Sequence, residues 1–223
     1  MSQLVHLQIR NPKDDETPIE AATQIFASLL PSHVPLWKWA FVNVRRFSFE
    51  LYLYNQSVYF YVTVPKESET FVKSLITSSF PNCAITITSD PLPHILKAKH
   101  LAVGEVAPSY YYLPTKTYQD FKEIDPLSSV LGFLSKRAPS EVAAIQILIS
   151  PASFDWAEKT VAQSKLLIQD MTANKYTQNP QKILMLKKSS FQGGKAIIRL
   201  LTGTTQGSAL DLLRQLAGTF GSF

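Results

Sequence analysis

The sequence predicts an α+β fold, and three observations support this prediction. Strand-like segments with alternating apolar residues are followed repeatedly by segments that have the period of an amphipathic helix. Residues 49–65, FELYLYNQSVYFYVTVP, have the pattern of a β-hairpin. The chain has 223 residues, 45% of them hydrophobic, which is enough for the core of one large domain or two small ones.

The predicted hairpin turns at Asn55-Gln56, and this centre sets which residues face each other. Because side chains alternate along a strand, four apolar pairs share one side. These pairs are Leu53 with Val58, Leu51 with Phe60, Phe49 with Val62, and Phe47 with Val64. The pairs on the other side are Tyr52 with Tyr59 and Glu50 with Tyr61. We expect Phe49 and Phe60 in the core. The turn type stays open, since Asn-Gln is a weaker signal than Asn-Gly.

Four strand–helix units recur along the chain. Their strands are predicted over residues 4–10, 58–64, 143–149 and 196–202, and the helices that follow over residues 18–30, 67–79, 153–171 and 208–220. Thr17, Pro18 and Glu20 have the pattern of a capping box with proline at the first helical position. Ser208 and Asp211 form a similar pair before the last helix.

Two further strands are predicted over residues 47–54 and 84–88. Residues 1–90 then have the order strand, helix, strand, strand, helix, strand. This is the order of a ferredoxin-like (βαββαβ) module, in which both helices lie on one face of the sheet. The other face, to which the tyrosine side of the hairpin belongs, is left to solvent or to a partner.

Residues 91–140 are predicted to be a connector with an extra strand near residues 97–106 and a short helix near residues 126–134. From residue 141 to 223 the strand–helix order begins again, which predicts a second ferredoxin-like module. No closing strand follows its last helix, so we expect this module to be incomplete at its C-terminus and the chain to be a fragment of a longer protein. Residues 172–191 fit a short helix or a strand.

The composition excludes several classes of protein. No apolar run approaches the roughly 20 residues of a membrane-spanning helix, and the N-terminus lacks the pattern of a signal peptide. Cys83 is the only cysteine, which excludes an internal disulfide and favours a reducing compartment. We therefore expect a cytoplasmic protein. Its net charge of +5 permits contact with nucleic acid or anionic lipid without requiring it.

No motif for catalysis, metal binding or cofactor binding stands out. The glycine-containing loop of residues 203–208 lies between a strand and a helix, but it lacks the lysine of a phosphate-binding loop. The four histidines are scattered, and none belongs to a HExxH motif or a Cys/His pair. Cys83 lacks the local signature of a nucleophile. We expect no enzyme activity and no cofactor.

Basic residues concentrate between residues 171 and 210, where no acidic residue occurs. Lys175 lies in this stretch. The candidate anion-binding residues within it are Lys182, Lys187, Lys188, Lys195 and Arg199. The alternative is an ordinary solvated surface, which is what a run of charges forms most often.

Tyr52, Tyr59 and Tyr61 form a candidate interaction face. RNA-recognition domains stack bases on aromatic residues of a similar sheet, but their signature contains glycines and a leading basic residue that residues 55–64 lack. No arginine or lysine interleaves with the tyrosines, whereas nucleic-acid grooves combine aromatic residues with cations. We expect the tyrosines to contact protein, either in the second half of the chain or in a neighbouring subunit. Nucleic-acid binding is the alternative.

Four segments, taken in order, resemble one known family. They are PIEAATQIFASLL, FSFELYLYNQSVYFYVTVPKESETFVKSLITSSFPNCAI, QILISPASFDWAEK and AIIRLLTGTTQGSALDLLRQLAGTFGSF. The chain resembles the N-terminal, non-catalytic region of bacterial ATPases related to type IV secretion and conjugative DNA transfer. In that family, ferredoxin-like modules precede a hexameric motor domain, whose phosphate-binding loop would lie beyond residue 223.

The resemblance implies a docking or assembly module that acts through protein–protein contacts. Its partners would be components of the secretion machine or the ATPase domain of the same protein, which would form a hexamer at full length. Its location would be cytoplasmic, peripheral to the inner membrane as part of a complex. A nucleic-acid-binding module that uses the tyrosines or the basic stretch is the second hypothesis. A downstream GxxxxGK[ST] motif in the same reading frame would favour the first.

Overall fold

The computed structural model describes residues 3–30, 46–108, 113–121, 125, 127–152, 155–169, 180–190 and 193–221. The strands within these ranges are β1 (Leu4–Arg10), β2 (Phe47–Tyr54), β3 (Ser57–Pro65), β4 (Ala84–Thr88), β5 (His100–Val106), β6 (Glu141–Pro151) and β7 (Gly194–Thr204). The α-helices are α1 (Ala21–Leu29), α2 (Glu69–Ser79), α3 (Leu92–Leu96), α4 (Leu127–Ser135), α5 (Trp156–Gln169), α6 (Pro180–Ser189) and α7 (Ala209–Gly218). Short 3₁₀ helices occur at Lys66–Ser68 and Tyr118–Asp120.

The described strands form one antiparallel sheet in the order β4-β1-β3-β2-β6-β7-β5, which confirms the α+β class. β2 pairs with β3 in the predicted hairpin register, so that Tyr52 lies opposite Tyr59. On its other side β2 pairs with β6, which joins the two halves of the chain in one sheet. β5 and α4 both lie within the predicted connector, and β5 pairs with β7 at one edge. The division of the chain at residues 90 and 140 stays a prediction.

Helices α1, α2, α4 and α7 pack on one face of the sheet, which we call the helix face. Under α1 and α2 the main buried residues are Leu7, Ile25, Leu29, Val62, Val64, Val72 and Ile76. Under α4 and α7 they are Leu53, Val130, Leu134, Ile145, Leu200, Leu213 and Leu216. A Cβ at Gly104 of β5 would lie only 3.2 Å from the Leu213 side chain, so the glycine permits α7 to approach the edge strand closely.

The short helix α3 covers one end of the opposite face. Ile95 of α3 is fully buried in a cluster with Tyr52, Ala144 and Leu201. The segment after α3 packs on the sheet at Gly203, where an added Cβ would lie 2.6 Å from the Cβ of Ala98. The sequence predicts that this face is left to solvent or to a partner. At this end the chain itself covers the face, because the segment of α3 folds back over the sheet.

The structure shows the type of the hairpin turn, which the sequence leaves open. Asn55 and Gln56 have φ angles of 50° and 57°. Positive φ at both central residues defines a type I′ turn, whose twist matches that of the flanking strands. Asparagine tolerates this left-handed conformation better than most residues, whereas glutamine has no such preference. The turn is therefore strained mainly at Gln56.

Two predictions about local structure are wrong. Helix α1 begins at Ala21, and the Thr17 hydroxyl donates to Asp15 Oδ1 instead of capping the helix. Phe60, although it lies on the helix face opposite Leu51, is 45% exposed. It belongs to neither apolar cluster, because its strand neighbours on that face, Val58 and Val62, pack under different helix pairs.

Other predictions are confirmed or lie outside the described residues. The Ser208 hydroxyl accepts a hydrogen bond from the Asp211 amide at 3.1 Å, which caps α7 as predicted. Phe49 packs against Phe26, with 5.1 Å between the ring centroids. The described part of the ambiguous stretch, residues 180–190, contains helix α6 at Pro180–Ser189. Residues 170–179, which include Lys175 and Met171, lie outside the described residues.

Candidate functional site

Polar side chains form a row across the face of the sheet opposite the helices. From β1 to β5 the cross-strand neighbours in this row are Gln8, Tyr61, Glu50, Gln146, Arg199 and Glu105. Glu50 lies near the middle and is only 6% exposed. The Gln146 side-chain amide donates to Glu50 Oε1 at 3.3 Å and to the Tyr52 hydroxyl at 3.0 Å. The Thr63 hydroxyl donates to Glu50 Oε2 at 3.2 Å.

His6 extends this network to β1. Its Nδ1 atom lies 2.9 Å from the Thr63 hydroxyl oxygen. The Thr63 hydroxyl has one hydrogen; when it donates this hydrogen to Glu50, it accepts from His6 in the tautomer that carries a hydrogen on Nδ1. We call His6, Glu50, Tyr52, Thr63 and Gln146 the polar centre, and its hydrogen bonds connect four adjacent strands.

The carboxyl group of Glu50 lies in an environment that disfavours its charge. Burial raises the pKa of Glu50 above the ordinary value of 4.5, and the hydrogen bond from the Thr63 hydroxyl lowers it only in part. The charge of His6 also lowers the pKa of Glu50, and this is the smallest of the contributions. A buried carboxyl group with donors on both oxygens stabilises a defined strand arrangement. This arrangement offers no nucleophile or metal site of its own.

The sequence does not single out the polar centre as a unit. Glu50 lies in a strand of mostly large apolar and aromatic residues, FSFELYLY. An acidic residue in such a strand is the one feature of the sequence that points to the polar centre. His6 and Gln146 are distant in sequence and meet Glu50 only because β1 and β6 flank the hairpin. Their shared location thus depends on the strand order.

The tyrosine rings of the hairpin pack diagonally and not within the directly opposite pair. Tyr52 lies opposite Tyr59 in the strands, but its ring packs edge-on against Tyr61, with 5.5 Å between centroids. Tyr59 instead stacks on Tyr54 at 4.4 Å, and His94 of α3 stacks on the other side of Tyr54 at 4.3 Å. The hydroxyl oxygens of Tyr54 and Tyr61 lie 2.8 Å apart. The aromatic rings therefore make diagonal contacts and join the hairpin to α3.

Two of the three tyrosines predicted to form an interaction face are buried. Tyr52 is 1% exposed and Tyr61 is 4% exposed, while Tyr59 is half-buried. Burial raises the pKa of the Tyr52 phenol well above its ordinary value. Tyr52 lies in a cluster with Ile95 of α3 and Ala144 of β6, both in its own chain. Neither Tyr52 nor Tyr61 presents a free ring face for stacking a base.

The five candidate anion-binding residues lie on two elements. Lys182, Lys187 and Lys188 are on α6, whereas Lys195 and Arg199 are on β7. Arg199 Nε lies 3.3 Å from Glu105 Oε1, so this cation already has an acidic neighbour. Lys188 Nζ donates to the carbonyl oxygen of Leu113 at 2.9 Å, and burial lowers the pKa of this lysine. Lys187 and Lys195 are exposed.

The edge strand β5 exposes apolar side chains on the face opposite the helices. Val103 is 66% exposed and Leu101 is 45% exposed, and Leu96 at the end of α3 is 52% exposed. The other side of β5 is covered, since α7 packs on it through Leu213. Among the described residues, β5 pairs with β7 and with no further strand. As far as the described ranges go, its outer backbone edge is therefore available to another strand.

The described residues were also compared with the requirements of a membrane-spanning helix, a metal site and a phosphate-binding loop. No helix there is long and apolar enough to cross a membrane. No group of three or more histidine, cysteine, aspartate or glutamate side chains in these ranges is placed to hold a metal ion. The loop of residues 203–208 forms a turn with Gly207 at a φ of 86°, followed by the Ser208 cap.

Comparisons with known proteins identify the family of this chain. Neither the comparison with curated proteins nor that with solved structures finds a match. One family model matches residues 2–196, which is most of the 223-residue chain. The chain therefore belongs to the family described as Domain of unknown function (DUF8128).

Proposed function

We propose that this chain is a non-catalytic docking or assembly module that binds a partner protein at the edge strand β5. The machine to which it belongs is proposed to be a motor ATPase of the type IV secretion or conjugation kind, which assembles as a hexamer in a complex on the cytoplasmic side of a membrane. The observation that carries the docking role is the outer edge of β5, which exposes Val103 and Leu101 and pairs with no strand in the part of the chain that the structure describes. The assignment to this machine rests on the resemblance of the four sequence segments given above.

The composition of β5 supports a docking role. Natural edge strands are protected from pairing with other chains by lysine, proline, bulges or a covering element. β5, with the sequence HLAVGEV, contains no lysine or proline, and Glu105 is its one acidic residue. Val103 and Leu101 point away from the helices and are exposed. A strand added here would gain backbone hydrogen bonds and cover both side chains.

The strand order supports a specific position for the partner. We propose that the sheet consists of two ferredoxin-like halves, which differ from the predicted boundaries because the second half includes β5. Read outward from the centre, the first half has the order β2-β3-β1-β4, and the second has β6-β7-β5. In this comparison β6, β7 and β5 correspond to β2, β3 and β1. The position on the outer side of β5 therefore corresponds to the position of β4 next to β1. β4 runs antiparallel to β1, so the docked strand should run antiparallel to β5.

Site-specific cross-linking in the cells that produce the protein tests this proposal. A photoreactive benzoylphenylalanine at Val103 should cross-link to a component of a secretion or DNA-transfer machine. The matched control is the same group at Phe71 of α2, which is 44% exposed but lies on a helix. Equal cross-linking from Phe71, or cross-links from Val103 to unrelated proteins alone, would contradict the proposal.

Two variants test the chemistry of the edge. Val103→Lys should abolish the cross-link formed from Leu101, because a charge would be placed where the new strand packs. Val103→Thr, which keeps strand propensity without adding charge, should retain it. Since Val103 is 66% exposed, neither change should unfold the protein, and thermal melting checks this.

The alternative, nucleic-acid binding, is tested by titration with short single-stranded DNA and RNA at low salt. The burial of Tyr52 and Tyr61 argues against stacking on the tyrosine side. Binding that falls steeply with salt and is lost in Lys187→Gln and Lys195→Gln would favour this alternative over protein docking. Binding that these two changes leave unaffected would not favour the nucleic-acid alternative.

A further inference from the structure

The Thr63 hydroxyl bridges a half-buried histidine and a buried carboxyl group. Its oxygen lies 2.9 Å from His6 Nδ1 and 3.2 Å from Glu50 Oε2. Glu50 and Thr63 are 6% and 7% exposed, whereas His6 is half-buried. The three residues lie on the adjacent strands β1, β3 and β2, and the register places His6 opposite Thr63. They therefore form a continuous line of hydrogen bonds from the interior of the sheet to a partly exposed imidazole ring.

The Thr63 hydroxyl can satisfy both neighbours in two ways, because it carries one hydrogen and accepts through its lone pairs. When Glu50 is a carboxylate, Thr63 donates to it and accepts from the Nδ1–H of His6. When Glu50 holds a proton on Oε2, the carboxyl group donates to Thr63, and Thr63 donates to an unprotonated Nδ1. The direction of both hydrogen bonds thus depends on the protonation of Glu50.

Gln146 determines which oxygen of Glu50 takes the proton. Its side-chain amide donates to Glu50 Oε1 at 3.3 Å. A proton on Oε2 leaves this hydrogen bond intact and has the Thr63 oxygen as its acceptor. The proton of the neutral carboxyl group therefore belongs on Oε2, on the side of Thr63.

We propose that His6, Thr63 and Glu50 form a proton relay, through which the buried carboxyl group exchanges its proton with solvent and determines the tautomer of His6. When Glu50 loses its proton, the Oε2–H bond breaks and that proton binds the Thr63 oxygen. The original hydroxyl hydrogen of Thr63 moves to Nδ1 of His6, and the Nε2–H bond of His6 breaks as its proton passes to water. Thr63 and His6 each gain one proton and lose one, so the net change is the loss of one proton from Glu50.

The relay changes the hydrogen-bonding character of the sheet at His6. With Glu50 neutral, Nε2 of His6 is a hydrogen-bond donor; with Glu50 charged, Nε2 is an acceptor. A change at a carboxyl group that is 6% exposed is therefore transmitted to a group that solvent reaches. This inference is independent of the docking role of β5, because it involves other strands and needs no partner protein.

Other ionisable groups surround the relay in the described part of the chain. They are Arg10, Tyr52, Tyr61, Asp90, Glu105 and Arg199. Burial raises the pKa of both tyrosines, so they stay neutral where a carboxyl group titrates. Arg199 Nε lies 3.3 Å from Glu105 Oε1 and so has its own acidic neighbour. Of the described ionisable groups, His6 is the one that hydrogen bonds through Thr63 couple to Glu50.

Nitrogen-15 NMR of the full chain tests the relay, because the shifts of Nδ1 and Nε2 show which nitrogen carries the hydrogen. At about pH 9, where an ordinary histidine is neutral and an ordinary carboxyl group is charged, His6 of the unchanged protein should carry its hydrogen on Nδ1. In Glu50→Gln, the new amide carbonyl accepts from Gln146 and its NH₂ group donates to Thr63, so His6 should carry its hydrogen on Nε2. The signal that is missing in His6→Gln assigns the residue. The same tautomer in the unchanged protein and in Glu50→Gln would overturn the proposal.

Two matched changes separate the relay from a general effect of charge. Thr63→Val keeps the shape of the side chain without the hydroxyl, and in this background Glu50→Gln should leave the His6 tautomer as it is. Glu105→Gln removes an exposed carboxylate of the same face and should also leave it as it is. A tautomer change that persists without the Thr63 hydroxyl, or an equal change in Glu105→Gln, would contradict the relay. Circular dichroism confirms that each variant is folded.

The carboxyl group itself is followed by its carbon-13 signal across the pH range. Since the pKa of Glu50 is raised in the folded protein, the proton is bound below the folded-state pKa and leaves as the pH rises through it. Thr63→Val removes a donor to the carboxylate and should raise this pKa further. An unchanged or lower pKa of Glu50 in Thr63→Val would overturn the hydrogen bond on which the relay depends.

Discussion

Truncation of Tyr52 should destabilise the protein far more than truncation of Phe60, although both are aromatic residues of the same hairpin. Tyr52 is 1% exposed, so Tyr52→Ala leaves a cavity and should cost about 3–5 kcal/mol. Phe60 is 45% exposed, and its loss removes less buried area, so Phe60→Ala should cost about 1–2 kcal/mol. Tyr52→Phe keeps the ring and loses the hydrogen bond from Gln146, which should cost about 1 kcal/mol.

Urea unfolding followed by circular dichroism measures these differences. For a chain of this length, each kcal/mol lowers the melting temperature by about 2–4 °C, so Tyr52→Ala should melt about 10 °C below the unchanged protein. Tyr52→Phe serves as the control that separates packing from hydrogen bonding. Equal losses in Tyr52→Ala and Phe60→Ala would refute the reasoning, because they would mean that α3 does not cover Tyr52 in solution.

Three further changes test the polar centre, the turn and the close approach at the sheet. Glu50→Gln should raise stability at neutral pH and remove a pH dependence, measured by urea unfolding across the acid range. Since the pKa of Glu50 is raised in the folded protein, its favourable contribution is complete below pH 4.5 and is lost as the pH rises through the folded-state pKa. Gln56→Gly should raise stability by about 0.5–1 kcal/mol in thermal melts, because glycine adopts the positive φ without strain. Gly203→Ala should lower stability by about 1–3 kcal/mol in the same assay, because its Cβ would meet Ala98 at 2.6 Å.

Each of these predictions has an outcome that contradicts it. A Glu50→Gln protein with the same pH profile as the unchanged protein would mean that this carboxyl group is not buried. A less stable Gln56→Gly variant would exclude the type I′ turn. A Gly203→Ala variant of unchanged stability would show that the segment after α3 lies further from the sheet. Gly218→Ala, where nothing lies within 4 Å of the added Cβ, is the matched control for the last case.

The hairpin shows how much of this fold the sequence predicts. The alternation of side chains along residues 49–65 is a local property, and it predicts which side chains share a side of the hairpin. Together with the turn at Asn55-Gln56 it predicts that Phe49 lies opposite Val62, as the structure shows. The cap at Ser208 is local in the same sense and was also confirmed. Thr17 had an equally good pattern, yet it bonds Asp15, because a nearby carboxylate offered a competing acceptor.

The polar centre could not be predicted from the alternation of residues along single strands, because it depends on which strands are neighbours in the sheet. Glu50, His6 and Gln146 meet because β1 and β6 lie on the two sides of the hairpin, and no pattern in one strand specifies its neighbours. These three residues are therefore far apart in the sequence although they meet in the sheet.

The sequence by itself determined the strand–helix order, the hairpin register and the absence of a recognisable catalytic motif. Only the tertiary structure decided that Tyr52 is buried and Phe60 exposed, and that β5 is an edge strand of the sheet that the described residues form. The period of a strand tells which residues point the same way, but burial depends on what packs against that side. Here α3 covers the tyrosines, while Phe60 lies between two helix pairs, because contacts between distant segments determine where each helix lies on the sheet.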